Sequence, residues 1–236
     1  MYEKMTEASE KTDREEGVSQ GILDFGSSLT RTARGNIYCM TIIGQIEGHN
    51  AAPAGVKTTR YEHVLPLLAK LEESDEVDGV LFLLNTVGGD VEAGLAMAEL
   101  IADMRKPTVS IVLGGSHSIG VPLVVAAKTS FAVPSAAMTI HPVRISGTMI
   151  AAPQTYQYFR RLQDRIVAFV SGHSNIRPED FEALMLKKED MAADVGTVLY
   201  GEEAVEWGLI DRIGGLSRGL EELYRRIGEE KRTAGS

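Results

Sequence analysis

Within residues 110–144, SIVLGGSHSIGVPLVVAAKTSFAVPSAAMTIHPVR, Ser118 and His141 are the pair whose types suit nucleophilic chemistry. A serine hydroxyl is a weak nucleophile until a neighbouring base takes its proton, and histidine titrates near neutrality. The apolar run 109–113 reads as a strand that breaks at Gly114-Gly115, and Ser116, His117 and Ser118 follow. Ile119-Gly120 then lead into a small-residue helical pattern over 121–128, and 137–140 read as a further strand ending at His141-Pro142. Ser118 therefore stands at a strand-to-helix turn. Such a turn projects a side chain clear of a sheet, and a helix N-terminus beside it stabilises developing negative charge. The same Ser-x-Gly pattern is commonly no more than a turn, so this stretch alone leaves both readings open.

The elements that must position this pair are legible on either side. Residues 79–84 (GVLFLL) form a continuous apolar run, the pattern of a parallel strand buried on both faces. Asn85-Thr86-Val87-Gly88-Gly89-Asp90 follow, then a helix from 91 to about 104, closed by Lys106-Pro107. Strand, glycine turn, helix and strand repeat around Ser118, which predicts an α/β fold with a largely parallel sheet. Gly88-Gly89 has two readings: a tight turn, or a place where backbone N–H groups face an oxygen and an extended chain approaches closely. No Gly-Lys-Ser/Thr follows, and the third glycine of a dinucleotide fingerprint is missing.

Elsewhere, 37–43 reads as a strand with Cys39 as a packing residue rather than a reactive thiol. From Tyr61 the spacing of Val64, Leu65, Leu67, Leu68 and Leu71 predicts a helix, with Pro66 tolerated in the first turn or at a kink. His49 and His63 lack metal-ligand spacing. Residues 153–172 predict an amphipathic helix with Tyr156, Phe159, Leu162, Ile166 and Phe169 on one face. Residues 219–231 predict a charged helix whose charges form a solvated face, followed by a polar tail over 229–236. Residues 1–34 carry charge and little periodicity, which predicts a flexible arm before a folded domain over 35–228. Ile22, Leu23 and Phe25 in that arm offer an apolar cluster that could dock on a neighbouring subunit.

Composition narrows the function. A chain of 236 residues with 44% hydrophobic and 24% charged residues suits one sizeable globular domain. The formal charge of −9 argues against nucleic acid or an anionic membrane as the main partner. One cysteine, an acidic N-terminus without an apolar signal region, and no membrane-length apolar stretch together predict a cytoplasmic protein. No metal or organic cofactor is implied.

Several motifs occur in one order: NTVGG (85–89) with Ala93-Gly94, SHSIG (116–120), MTIHP (138–142) and EAVEWGLID (203–211). In that order the chain resembles the ClpP serine peptidases over about residues 37–213. GQIEGH, NTVGGDVEAG, GGSHSIG and TIHPVR bring it nearest the translocation-enhancing branch of that family.

The resemblance implies a ClpP/crotonase-like fold of repeated β-β-α units, with 153–172 as a protruding helical handle. It implies Ser118 as nucleophile, His141 as general base, and Gly88, Gly89 and the Ile119 N–H as the oxyanion hole. Asp90, Val91 and Pro142 border the implied peptide site, and Ser116 and His117 shape it without matching catalytic positions. The third catalytic position falls on Gly196. Asp194 is the nearest carboxylate, with Asp190 and Glu189 behind it and an ordinary turn or capping role as the competing reading. A serine endopeptidase in a homo-oligomeric ring follows from the resemblance, with two stacked heptamers and an AAA+ unfoldase as partners, because this chain has no Walker motif of its own. The alternatives are a non-catalytic ring component or adaptor, and a crotonase-type acyl-CoA enzyme, which would not need the Ser/His pair.

Overall fold

A computed structural model describes residues 26–144, 151–188 and 195–234. Nine strands among these residues join in one sheet: β1 (Ser27–Thr32), β2 (Gly35–Glu47), β3 (Thr58–Arg60), β4 (Gly79–Gly89), β5 (Thr108–Ser116), β6 (Thr129–Ala132), β7 (Ala137–Ile140), β8 (Thr197–Tyr200) and β9 (Arg212–Ile213). The spatial order is β1-β2-β4-β5-β6-β9, with β3 on β2 and β7 bridging β5 to β8. The run β2-β4-β5-β6-β9 is parallel, and the β1/β2 and β7/β8 pairs are antiparallel. The mixed α/β class matches the expectation from the apolar runs.

The helices are α1 (Tyr61–Glu73), α2 (Val91–Asp103), α3 (Gly120–Val125), α4 (Ala152–Gly172), α5 (Pro178–Leu186), α6 (Gly201–Glu206) and α7 (Leu216–Ala234). Alternate residues of the central strands face opposite sides. Ile42, Phe82, Leu84 and Val112 are buried with α1, α2 and α3 in the main core. Ile37, Leu81, Val109 and Ile111 form a smaller core beneath Leu223 and Ile227 of α7. This two-sided burial explains why the 79–84 run is continuously apolar rather than alternating.

Several boundaries differ from the sequence reading. Residues 27–32 lie in the stretch expected as an arm, yet they pair with β2 from Ser27↔Met40 to Thr32↔Gly35. At the other end, α7 runs through the expected polar tail to Ala234. Polar residues on an edge strand or a one-sided helix give little apolar signal, so both elements are held by partners more than by composition. Pro66 sits within α1, past its first turn. Strands β4 and β5 continue through the glycine pairs that read as turns, because Gly88 and Gly89 pair with β2 and Gly115 with Ala137 of β7. Residues 129–132, which carried no assignment, form β6.

Candidate active site

The local fold at Ser118 begins with β5 ending at Ser116. Ser116 is fully buried, and its Oγ donates to the Gly120 carbonyl at 2.8 Å, which ties the strand end to the first turn of α3. The His117 N–H donates to the Thr86 carbonyl at 3.1 Å, and the Ser118 N–H donates to the Thr139 carbonyl at 2.8 Å. Ser118 thus hangs between β4 and β7 with φ 57°, a left-handed conformation that costs a non-glycine residue about 1–2 kcal/mol. Backbone strain of this kind persists where surrounding contacts over-determine it, and these three hydrogen bonds do so here. Helix α3 has only six residues, so a strong helix dipole, expected from the longer 121–128 pattern, is not what faces Ser118.

His141 reaches the same place by another route. It follows the last residue of β7, two positions after the Thr139 that anchors Ser118. Its Nδ1 lies 2.7 Å from the Pro142 carbonyl oxygen. A carbonyl only accepts, so Nδ1 carries the proton and Nε2 of the neutral ring is left as an acceptor, the tautomer a general base requires. Among the described residues, Ser118 Oγ and the His141 ring are not hydrogen-bonded to each other, and no carboxylate bonds to that ring. Asp194, Asp190 and Glu189 lie outside the described residues.

Ser118 and His141 line one cavity of about 120 Å³ with Gly89, Val91 and Ile119. Its apolar wall is Val121, Ile140, Ile166, Phe181 and Met185, and Val143 and Arg144 stand at the His141 side. Ile166, Phe181 and Met185 come from α4 and α5, and nothing in the sequence marked them for the site. Arg165 pins α4 to the start of α2 through two bonds to Glu92, at 2.8 and 3.1 Å. The pair is exposed and adds orientation more than stability.

Of the three candidate oxyanion donors, each is placed differently. β4 carries a bulge at Val87, because Thr86 pairs with Gly44 and Gly88 with Gln45. The bulge turns Gly88 against the nucleophile turn, where a Cβ would stand 2.7 Å from the His117 oxygen and 2.8 Å from Ser118 Cβ. Only glycine fits that approach, and its φ of 85° adds a second reason. The Gly88 N–H, however, donates to Thr86 Oγ1 at 3.1 Å, while that hydroxyl donates to the Gly44 carbonyl at 2.6 Å. Gly89 lies on the ladder opposite Ile46. The Ile119 N–H has no hydrogen-bond partner among the described residues, while its neighbours Ser118 and Gly120 both do.

The remaining candidates have settled partners. The Asp90 carboxylate caps α2 by accepting from the Ala93 N–H at 2.8 Å. Val91 lines the cavity, and Pro142 supplies the carbonyl that holds His141. His117 Nδ1 lies 2.8 Å from Thr139 Oγ1, and burial lowers its pKa, with His141 nearby adding to the effect. Burial raises the Cys39 thiol, consistent with a packing role. His49 bonds the Tyr61 hydroxyl at 3.2 Å, and among the described residues no cluster could hold a metal ion. Thr86 and Thr139 escaped the sequence reading because their roles run through backbone carbonyls of distant strands.

The chain is similar to known proteins along most of its length. The Clp protease family model matches residues 39–216. The translocation-enhancing protein TepA of Halalkalibacterium halodurans is 47% identical over 222 residues, which is 92% of this chain and 87% of that protein. More distant similarity, 28% over 61% of the chain and 68% of the relative, links it to the ATP-dependent Clp protease proteolytic subunit 1 of Protochlamydia amoebophila. The corresponding subunit of Chlamydia muridarum is 27% identical over 61% of the chain and 73% of its own length. A family match that runs from β2 into α7, together with a relative alike along nearly the whole chain, shows that this chain belongs to the Clp protease family.

Proposed function

We propose that the chain is a serine endopeptidase that cleaves peptide bonds through an acyl-enzyme on Ser118. The observation that carries this reading is the shared anchor: Thr139 holds the strained Ser118 by its backbone, and the same strand delivers His141 to the same cavity. In this mechanism His141 Nε2 takes the Ser118 hydroxyl proton as Oγ attacks the scissile carbonyl. The Ile119 N–H receives the developing oxyanion, and Gly88 joins it once substrate displaces its bond to Thr86. His141 then passes the proton to the leaving amine, and water releases the acyl group by the reverse sequence. Asp194 is proposed as the carboxylate that takes the His141 Nδ1–H from Pro142 and stabilises the imidazolium.

The bound peptide is proposed to run extended past Gly88, Gly89 and Asp90, with an apolar side chain in the wall of Val121, Ile166 and Met185. The name of the TepA relative suggests secretory precursor proteins or peptides as substrates. A ring of identical subunits in the cytoplasm, served by a separate AAA+ unfoldase, is the assembly we propose. Among the described residues no helix is long and apolar enough to cross a membrane.

A second reading is a non-catalytic ring component or adaptor that assists translocation. It is favoured by one observation, the absence of a Ser118–His141 hydrogen bond among the described residues. Treatment of the purified protein with a fluorophosphonate separates the two. Peptidase chemistry requires labelling that vanishes in Ser118→Ala, whereas a wild-type chain that neither labels nor cleaves peptides supports the adaptor.

A further inference from the structure

Strand β7 carries His141 towards Ser118, yet its ladder to β5 is short. Among the described residues the two strands pair at one position, Gly115↔Ala137. Past that point β5 ends and turns into the Ser118 segment, while β7 runs on through Thr139 to the residue before His141. Two contacts take over where the ladder stops. The Ser118 N–H donates to the Thr139 carbonyl at 2.8 Å, and the His117 ring reaches the side chain of the same threonine, with Nδ1 2.8 Å from Oγ1. Consecutive residues of the nucleophile turn thus hold one residue of β7, the first by its side chain and the second by its backbone.

The His117 ring is seated for this contact. Its backbone is fixed on both sides, the N–H donating to the Thr86 carbonyl and the carbonyl accepting from the Gly120 N–H. The ring lies against Gly115, where a Cβ would collide with Nε2, so any side chain at that position would displace it. Burial lowers the His117 pKa and the charge of His141 lowers it further, so the ring stays neutral beside the general base.

A single hydrogen bond lets a strand twist about it. Met138 and Ile140 are buried in the main core on one side of β7, and Thr139 faces the other. A side-chain bond on that opposite side stops the twist that the backbone bond permits. One residue separates Thr139 from His141, so the same twist would swing the imidazole away from Ser118. We propose that His117 is a positioning residue whose bond to Thr139 Oγ1 closes a two-point clasp and sets the approach of His141 to Ser118. The consequence for turnover rests on the serine endopeptidase reading, whereas the clasp itself does not.

Peptidase kinetics, fluorophosphonate labelling and hydrogen exchange at the Ser118 amide, all on the full chain in its assembled state, test this. His117→Ala should lower kcat and the labelling rate by about tenfold to a hundredfold with KM nearly unchanged, because alignment is lost while the cavity remains. His117→Asn should restore most of that loss, since Asn presents an N–H or a carbonyl oxygen near the place of Nδ1. Thr139→Val keeps the backbone carbonyl and should match His117→Ala, and the double variant should be no slower than either single one. The Ser118 amide should exchange about tenfold faster in His117→Ala and Thr139→Val than in the wild type and His117→Asn. An unchanged kcat in His117→Ala would overturn the proposal, as would equal losses in the Ala and Asn variants or fully additive losses in the double one. A raised KM with kcat unchanged would overturn it too, by assigning His117 to substrate contact. A wild-type chain that neither labels nor cleaves removes the endopeptidase reading; the exchange rates then decide the clasp, and equal rates in all four proteins overturn it.

Discussion

Two serines two positions apart have opposite surroundings. Ser116 Oγ is buried and committed to the Gly120 carbonyl, whereas Ser118 lines the cavity. Ser116→Ala should therefore retain fluorophosphonate labelling and lose about 1 kcal/mol of stability, the usual net worth of one hydrogen bond. Loss of labelling in Ser116→Ala with retention in Ser118→Ala would transfer the nucleophile to Ser116. His141 raises the complementary question of what holds Nδ1. A neutral carbonyl, as in the contact to Pro142, fixes the tautomer but stabilises the imidazolium less than a carboxylate does. Asp194→Asn is expected to lower kcat steeply, by up to about four orders of magnitude, with labelling geometry and assembly intact. Asp190→Asn should leave kcat nearly unchanged. Mild effects from both would leave the Pro142 carbonyl as the sole orienting group of a Ser–His dyad.

At the scale of elements, α7 is more than a solvated helix. Glu222 is buried on it and bonds Arg225 at 2.6 Å, Arg226 at 3.0 Å and, from β9, Arg212 at 3.2 Å. The hydrogen bonds from Arg225 lead in lowering its pKa to about 2, with the charges of Arg225, Arg212 and Arg226 adding to them against the opposing effect of burial. A folded-state pKa below the unfolded one adds stability that is complete above the unfolded value, about 4.5. That stability declines as pH falls from there through about 2. Glu222→Gln should thus cost up to roughly 3 kcal/mol at pH 7 and flatten the loss of stability between pH 4.5 and 2, read by denaturant unfolding at each pH. An unchanged acid profile would mean that the arginines solvate freely and Glu222 contributes little.

For the whole molecule, α4 divides its apolar stripe between two tasks. Leu162, Ile166, Phe169 and Val170 are buried against the body, and Ile166 also lines the cavity. The first half of the helix leaves Tyr156 and Tyr158 exposed at 67% and 53%, with Phe159 stacked edge-on against Tyr158. The five residues expected on one face therefore differ in exposure, and among the described residues of α4 the exposed aromatic ones are Tyr156 and Tyr158. Tyr156→Asp combined with Phe159→Asp should shift the sedimentation coefficient to a smaller species while the circular dichroism spectrum stays unchanged. A wild-type chain that sediments as a folded monomer at micromolar concentration would exclude the ring.

Periodicity and motif order already determined a good deal. The apolar runs at 79–84 and 109–113 already read as strands, and SHSIG reads as the passage from strand to helix. Those local demands sufficed to define an α/β fold and to put Ser118 at a strand-to-helix turn and His141 at a strand end, while their pairing as candidates rested on the order of the motifs. What they could not decide depends on contacts between residues far apart in the chain. The Thr139 carbonyl that strains Ser118 is backbone, and every residue type carries one. Thr86 takes the Gly88 N–H only because a bulge at Val87 shifts the register between β2 and β4. The edge strand 27–32 and the far end of α7 are polar segments, the first ordered by pairing with β2 and the second continuing a helix packed on the sheet through Leu223 and Ile227 and tied to Asp78 by Lys231. Ile166 reads in sequence as one residue of an amphipathic face, and only the docking of α4 on the body brings it to the cavity that Ser118 lines. Local pattern is written in side-chain types. Position within the site was decided by backbone groups and by which faces were left to pack, and those exist only once the chain has folded.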